Sequence, residues 1–238
     1  MRCSLAIVGV VACGRLGFDA VPGAGADGGH GGDGADGASQ GGPALVQSQS
    51  MFSMGTTTPQ LPVSPTLRGD LLVVLTADVG DQTPLGTLDD SVGDVFVSAN
   101  ATFTEGSSFG EVWYSDSGIG GATSVTLGDA VAHNRDVWIV ELSGVSQLDT
   151  VLAVSDQAYS ATASAPSVTP TREPAAIVSI MQLTQAVQTV TAPFTLLDVV
   201  MGDGAAVAIV GTAGSYGPTF TINMPGTYGA ATVAFIAP

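Results

Sequence analysis

The residue pattern predicts an all-β fold: a single antiparallel β-sandwich, jelly-roll-like, reached through a disordered N-terminal linker. Three observations point there. From Ala44 onward, short runs rich in Val, Ile, Thr and aromatics are separated by Gly, Asp, Ser and Pro, the cadence of strands and turns. Helical periodicity is nearly absent from the same stretch. Two runs, Asp70–Thr76 and Ala205–Val210, are almost continuously apolar, as central strands covered on both faces are.

Taken in order, the runs predict strands over Ala44–Ser53, Asp70–Ala77, Gly86–Asp90, Val95–Ala99, Phe109–Tyr114, Thr123–Leu127 and Asp136–Leu142. The second half predicts Thr150–Val154, Ser167–Thr171, Ala175–Gln182, Phe194–Val200, Ala205–Gly211, Thr219–Asn223 and Ala230–Ile236. Thr219–Met224 alternates as a half-buried strand does. Gly202-Asp-Gly204 and Asp90-Ser-Val-Gly-Asp94 read as hairpin turns, where positive φ is cheap for Gly and Asp. Ile177–Val190 is the one helix-capable segment and is read as strand then loop. No internal repeat is visible, so residues 44–238 are read as one domain. A transmembrane barrel would need aromatic girdles around alternating strands; aromatics are only 6% of the chain, which argues against it.

Residues 1–12 have the parts of a secretory signal: Arg2, then an apolar run of about ten residues ending in small ones. That run is too short to span a bilayer as a helix, which takes about 20 residues. Val10-Val11-Ala12-Cys13 resembles the lipobox of bacterial lipoproteins. The resemblance implies cleavage before Cys13, lipidation of Cys13 and attachment to a membrane, two or more acyl chains making the anchor durable. Gly14, rather than Asp, resembles the set sent to the outer membrane. Residues 13–43 then form a linker of mostly Gly, Ala and Asp, too poor in apolar surface to offset its ordering entropy. About 24 such residues reach roughly 25–30 Å. Matches to GxGxxG (Gly23–Gly28) and GxSxG (Gly37–Gly41) fall in this linker with no strand before them, so neither carries its usual chemistry.

The formal charge is −16, with no Lys at all. Nucleic-acid binding and adhesion to anionic headgroups both need a basic footprint, so both classes are excluded as partners. With Cys3 in the signal and Cys13 lipidated, the remaining chain has no thiol. It forms no disulfide and no cysteine zinc site.

Several pieces in order resemble a domain of exported bacterial and phage-associated proteins, largely without assigned activity. They are Gly69-Asp-Leu-Leu-Val-Val74, Leu88-Asp-Asp-Ser-Val-Gly-Asp-Val-Phe96, Glu111-Val-Trp-Tyr114, Gly120-Gly-Ala-Thr-Ser-Val-Thr126 and Val137–Val145. The resemblance implies a jelly-roll or lectin-like sandwich. Asp94 stands where that domain has Asn, and Leu142 where it has Tyr.

Candidate binding residues are few. Glu141, inside an apolar strand, offers a carboxylate to a cation or a sugar hydroxyl. Trp113 and Tyr114 offer a ring on which a sugar could stack, with Trp138 the other large aromatic. Asp89, Asp90 and Asp94 crowd a turn and could supply calcium with some of the 6–8 oxygens it takes. A catalytic set is not legible: His133 is the body's single histidine, in a polar stretch, and nothing places a nucleophile beside it. The expectation is a non-catalytic, lipid-anchored envelope protein, displaying a recognition or adhesion domain toward a polysaccharide or an envelope protein. The alternative is a structural envelope component, and the least favoured is a hydrolase.

Overall fold

β-branched and small apolar residues build sixteen strands, and no helix forms among the described residues. The structure, a computed structural model, describes residues 41–80, 82–115 and 118–238. The signal, Cys13 and nearly all of the linker lie outside the described residues.

In the first half the strands are β1 (Ala44–Thr56), β2 (Gln60–Pro62), β3 (Leu71–Asp78), β4 (Thr87–Asp90), β5 (Phe96–Glu105), β6 (Ser108–Ser115), β7 (Ser124–Gly128) and β8 (His133–Ser143). In the second they are β9 (Gln147–Tyr159), β10 (Thr162–Ser164), β11 (Ala175–Leu183), β12 (Val187–Val190), β13 (Thr195–Val200), β14 (Asp203–Val210), β15 (Thr219–Ile222) and β16 (Gly226–Ile236). All pairings between them are antiparallel.

The first half makes a five-stranded sheet, β1-β8-β3-β6-β5, and a three-stranded sheet, β2-β7-β4. The second makes β13-β14-β11-β16-β9 and β10-β15-β12. Subtracting eight from each second-half strand number gives 5-6-3-8-1 and 2-7-4. These are the first-half orders, the larger sheet read from its other edge. The chain is therefore two copies of one eight-strand topology, a repeat that the residues do not reveal.

Three apolar cores show how the sheets stack. Leu72, Val74, Val137 and Ile139 of the first large sheet meet Leu61, Leu88, Val125 and Leu127 around its small sheet. Ile177, Met181, Ala206 and Ala234 of the second meet Ala163, Val187, Phe220 and Ile222 of the other small sheet. Between the two large sheets, Leu71, Val73, Leu75, Trp138 and Val140 meet Val178, Ile180, Val207, Val233 and Phe235. The layers thus run three, five, five and three strands deep. A single sandwich would leave one face of each sheet to water. Here every residue of β3 and β11 is buried, which is why Asp70–Thr76 reads as a continuous apolar run; Ala205–Val210, in β14, is buried except at Ile209. Four sheets replace the one sandwich expected from sequence.

Strand β1 lies against β13, and β5 against β9 and β16. In repeat terms, strand one of each copy faces strand five of the other. That is the relation a two-fold axis running along the strands produces. Side chains stitch the paired edges: the Thr104 and Gly106 amides donate to Ser155 Oγ (2.9 Å) and Asp156 Oδ1 (2.8 Å), and the Ser50 hydroxyl donates to Asp198. Edge backbone that could recruit another chain is thereby partly occupied.

Local differences from the sequence reading have local causes. β2, β10 and β12 are three or four residues long, too short for periodicity to register. Ser167–Thr171 contributes only an isolated bridge, Val168 to Tyr216, because Pro166 and Pro170 bracket it. Ile177–Val190 is β11, a turn and β12. Asp90–Asp94 leads from β4 in the small sheet to β5 in the large one and closes no hairpin. The β13–β14 hairpin turns at Met201 and Gly202, both with positive φ (48° and 111°).

Phe103, on β5, fills the seam between the large sheets. A Cβ on Gly110 of β6 or Gly229 of β16 would overlap its ring. Gly110→Ala should therefore destabilise the fold by about 1–3 kcal/mol through overpacking, and Gly229→Ala, which also meets the Thr104 carbonyl, by at least as much. Chemical denaturation of both variants beside Gly211→Ala, whose Cβ meets nothing within 4 Å, checks this.

Candidate functional site

Alternation along β8 sends its side chains into two different interiors. Val137 and Ile139 enter the core of the first sandwich, and His133, Arg135 and Glu141 share their parity. Trp138, Val140 and Leu142 enter the seam between the repeats, and Asp136 shares theirs. At one end of the strand this places an ion-paired cluster around Arg135 and an acidic pocket on opposite faces of one sheet.

Arg135 is 1% exposed and is the centre of the cluster. Its guanidinium donates to Asp129 through Nε (3.1 Å) and Nη2 (3.0 Å) and to the Thr83 carbonyl (3.1 Å). Asp78 lies 3.4 Å away and Glu111 3.9 Å. Asp78 also pairs with His133 Nδ1 at 3.1 Å. Burial pushes the Glu111 carboxyl up, against the pull of the Leu85 amide that donates to it and of Arg135. His133 is thus a buried residue at the head of β8, where the sequence reads a polar loop.

The acidic pocket, about 240 Å³, opens at the same end of the seam. Phe52, Val79, Glu105, Ser108 and Asp136 line it from the first repeat, and Gln182, Leu183, Thr184, Met201 and Asp203 from the second. No Lys, Arg or His is among them. Asp136 and Asp203 are both buried and lie within hydrogen-bonding reach of each other. Burial, then the charge of Asp203, push Asp136 up to about 9. Burial pushes Asp203 up to about 7, opposed by the Leu183 amide that donates to its Oδ1 at 2.9 Å. Two such carboxyls hold their protons to higher pH, because like charges held together in a dry site resist joint ionisation.

A second pocket, about 330 Å³, lies at the other end of β3, between Arg68–Leu71, Ser115, Gly118 and Val145–Ser146. Burial, then the nearby Glu141, push Asp70 there up to about 6.

The residues singled out from sequence are dispersed. Glu141 is fully buried and accepts from the Gln47 side-chain amide and from the Leu67 backbone amide at 2.8 Å. It ties β1 and the segment before β3 to β8. Trp113 and Tyr114 do point to opposite faces, but both faces of their sheet are covered. Trp113 leans on the first sandwich core. Tyr114 packs in the seam, its ring 5.5 Å from Phe235. Neither ring stands on an open sheet face. Asp90 Oδ1 accepts from the amides of Val92, Gly93 and Asp94 (3.0, 2.7 and 3.0 Å), and Asp94 Oδ1 from Ile119 at 2.7 Å. Asp89 is exposed. Among the described residues no three His, Cys, Asp or Glu side chains converge to hold a metal. At the Asp89–Asp94 turn, backbone amides engage Oδ1 of Asp90 and of Asp94, whereas Asp90 Oδ2 is buried and receives no hydrogen bond. Asp136, Gln182 and Asp203 are not singled out by the sequence pattern. Asp136 heads an apolar strand as conspicuously as Glu141 sits within it, but Asp203 is indistinguishable in sequence from a turn residue.

No protein-family model, no curated protein and no solved structure matches the chain.

The acid pair sets a pH dependence. Unfolded Asp titrates near 3.8, whereas the folded pair holds its protons to higher pH. The folded state therefore binds more protons over that interval, and stability falls as pH rises. In buffer free of divalent cations, the pair's contribution to the melting midpoint should decline from about pH 4 to about pH 9. Asp136→Asn should flatten that decline, as measured by calorimetric scans at each pH.

Proposed function

We propose that the protein is a lipid-anchored component of the cell envelope, exported on residues 1–12, held through Cys13 at the outer membrane, and presenting its β-rich part for recognition or adhesion without catalysis. The observation that carries this reading is the order of Val10-Val11-Ala12-Cys13, a Gly/Asp/Ala-rich segment and an all-β body. One lipid-bearing residue, a polar spacer and a rigid body make a tether and a head.

Strand pairing supports a jelly-roll reading of each repeat. A jelly roll wraps a ribbon so that strands one and eight, two and seven, and three and six pair. β1–β8, β2–β7 and β3–β6 pair in the first repeat, and β9–β16, β10–β15 and β11–β14 in the second. Both repeats depart from the pattern alike: strand five joins strand six in the large sheet and is separated from strand four. A structural role in the envelope is the second reading, favoured by the packing of Trp113, Tyr114 and Glu141 into interiors.

Two measurements test this. Cys13→Ser should move the protein from the membrane to the soluble fraction while its β circular dichroism is unchanged; a variant that stays with membranes removes the anchor reading. A glycan array probed with residues 44–238 should show saturable binding if polysaccharide is the ligand. A blank array favours the structural role.

A further inference from the structure

We infer that the acidic pocket between the repeats is a binding site for a divalent cation of the calcium type, held by Asp136, Asp203 and the side-chain oxygen of Gln182, with water completing the shell. The inference goes beyond the envelope role and does not depend on it.

The first observation is Gln182. Its Nε2 donates to the Asp78 carbonyl at 2.8 Å, which fixes which end of the amide is oxygen. Its Oε1 is buried and receives no hydrogen bond, and Gln182 is among the residues that line the pocket. A buried amide oxygen left so is costly unless something electropositive meets it. The second observation is Asp136, fully buried, with neither oxygen accepting from an N–H or hydroxyl among the described residues. Asp203 uses Oδ1 on the Leu183 amide, lines the pocket and lies within hydrogen-bonding reach of Asp136.

The donors are all oxygen. Hard cations take such sets, whereas zinc and copper favour nitrogen and sulfur. No basic side chain among the lining residues supplies the missing positive charge; Arg135 is one residue from Asp136 but belongs to the other face of the sheet. A pocket of about 240 Å³ has room for an ion and several waters, each water taking about 30 Å³. Two carboxylates and one amide supply part of the 6–8 oxygens calcium takes, so affinity should lie near that of extracellular modules, about 10⁻⁴–10⁻³ M. Asp136 comes from β8 of one repeat, Gln182 and Asp203 from β11 and β14 of the other. The ion would bridge the seam.

The test uses the full-length mature protein in detergent, stripped with EDTA at about pH 8. Calorimetric titration with calcium chloride should give one ion per chain. Melting at 10 mM calcium should show the folding equilibrium shifted about tenfold or more toward the native state, with a smaller shift for magnesium. Asp136→Asn and, separately, Gln182→Met should abolish the response, and Asp90→Ala should leave it intact. The inference is overturned if wild type shows neither heat nor a melting shift, if either pocket variant responds as wild type does, or if Asp90→Ala removes the response. Should Asp136→Asn not fold, Gln182→Met and the wild-type titration still decide the matter.

Discussion

Keeping both faces of the central strands of two five-stranded sheets dry is the constraint on which this molecule depends. Their facing sides bury Trp138, Phe103, Phe235 and a bed of Val, Leu and Ala in one continuous core. Each fully buried Val, Leu or Phe there is worth about 1.5–3 kcal/mol relative to exposure. Their outer sides would be equally apolar surface in water if left open. The two three-stranded sheets cover them and can be brief, because Leu61, Leu88, Val125 and Leu127, or Phe220 and Ile222, suffice to seal a face.

The repeat explains why one seam serves both halves. Matching the two-residue hairpins Gly106–Ser107 and Met201–Gly202 places Ser108 over Asp203, and the strand registers then place Val79 over Gln182 and Asp136 over Ala231. An axis along the strands keeps equivalent positions at the same height, so both members of the first two pairs line the one pocket. Its acidity is nevertheless asymmetric, because each polar residue faces a different partner in the other copy. The architecture is duplicated, and the chemistry at the end of the seam is not.

Charge is sorted by the pleat of a single strand. Arg135 and Asp136 are sequence neighbours, yet one pairs with Asp129, Asp78 and Glu111 inside the first sandwich and the other faces Asp203 across the seam. A buried guanidinium is tolerable only when paired and hydrogen-bonded, and Arg135 is both. The acid pair has no such partner among its lining residues and keeps its protons instead, a different answer to the same desolvation cost.

Residue order alone establishes that the chain is all-β and antiparallel, that Asp70–Thr76 is a doubly covered strand, and that Glu141 faces away from Val140 and Leu142; Ala205–Val210 reads as doubly covered too, but its Ile209 is exposed. These are local matters of composition and alternation, and period two carries them faithfully. It leaves open that there are four sheets in place of one sandwich, and that the strand order occurs twice. Packing asks only that Val74 and Ile177, or Thr76 and Ser179, have similar size and burial, so residue identity between the copies is free to vanish. Nor does it bring Asp136, Gln182 and Asp203 together. They come from three strands of two repeats, and only the closing of the seam, driven by the apolar core beside them, puts their oxygens around one space.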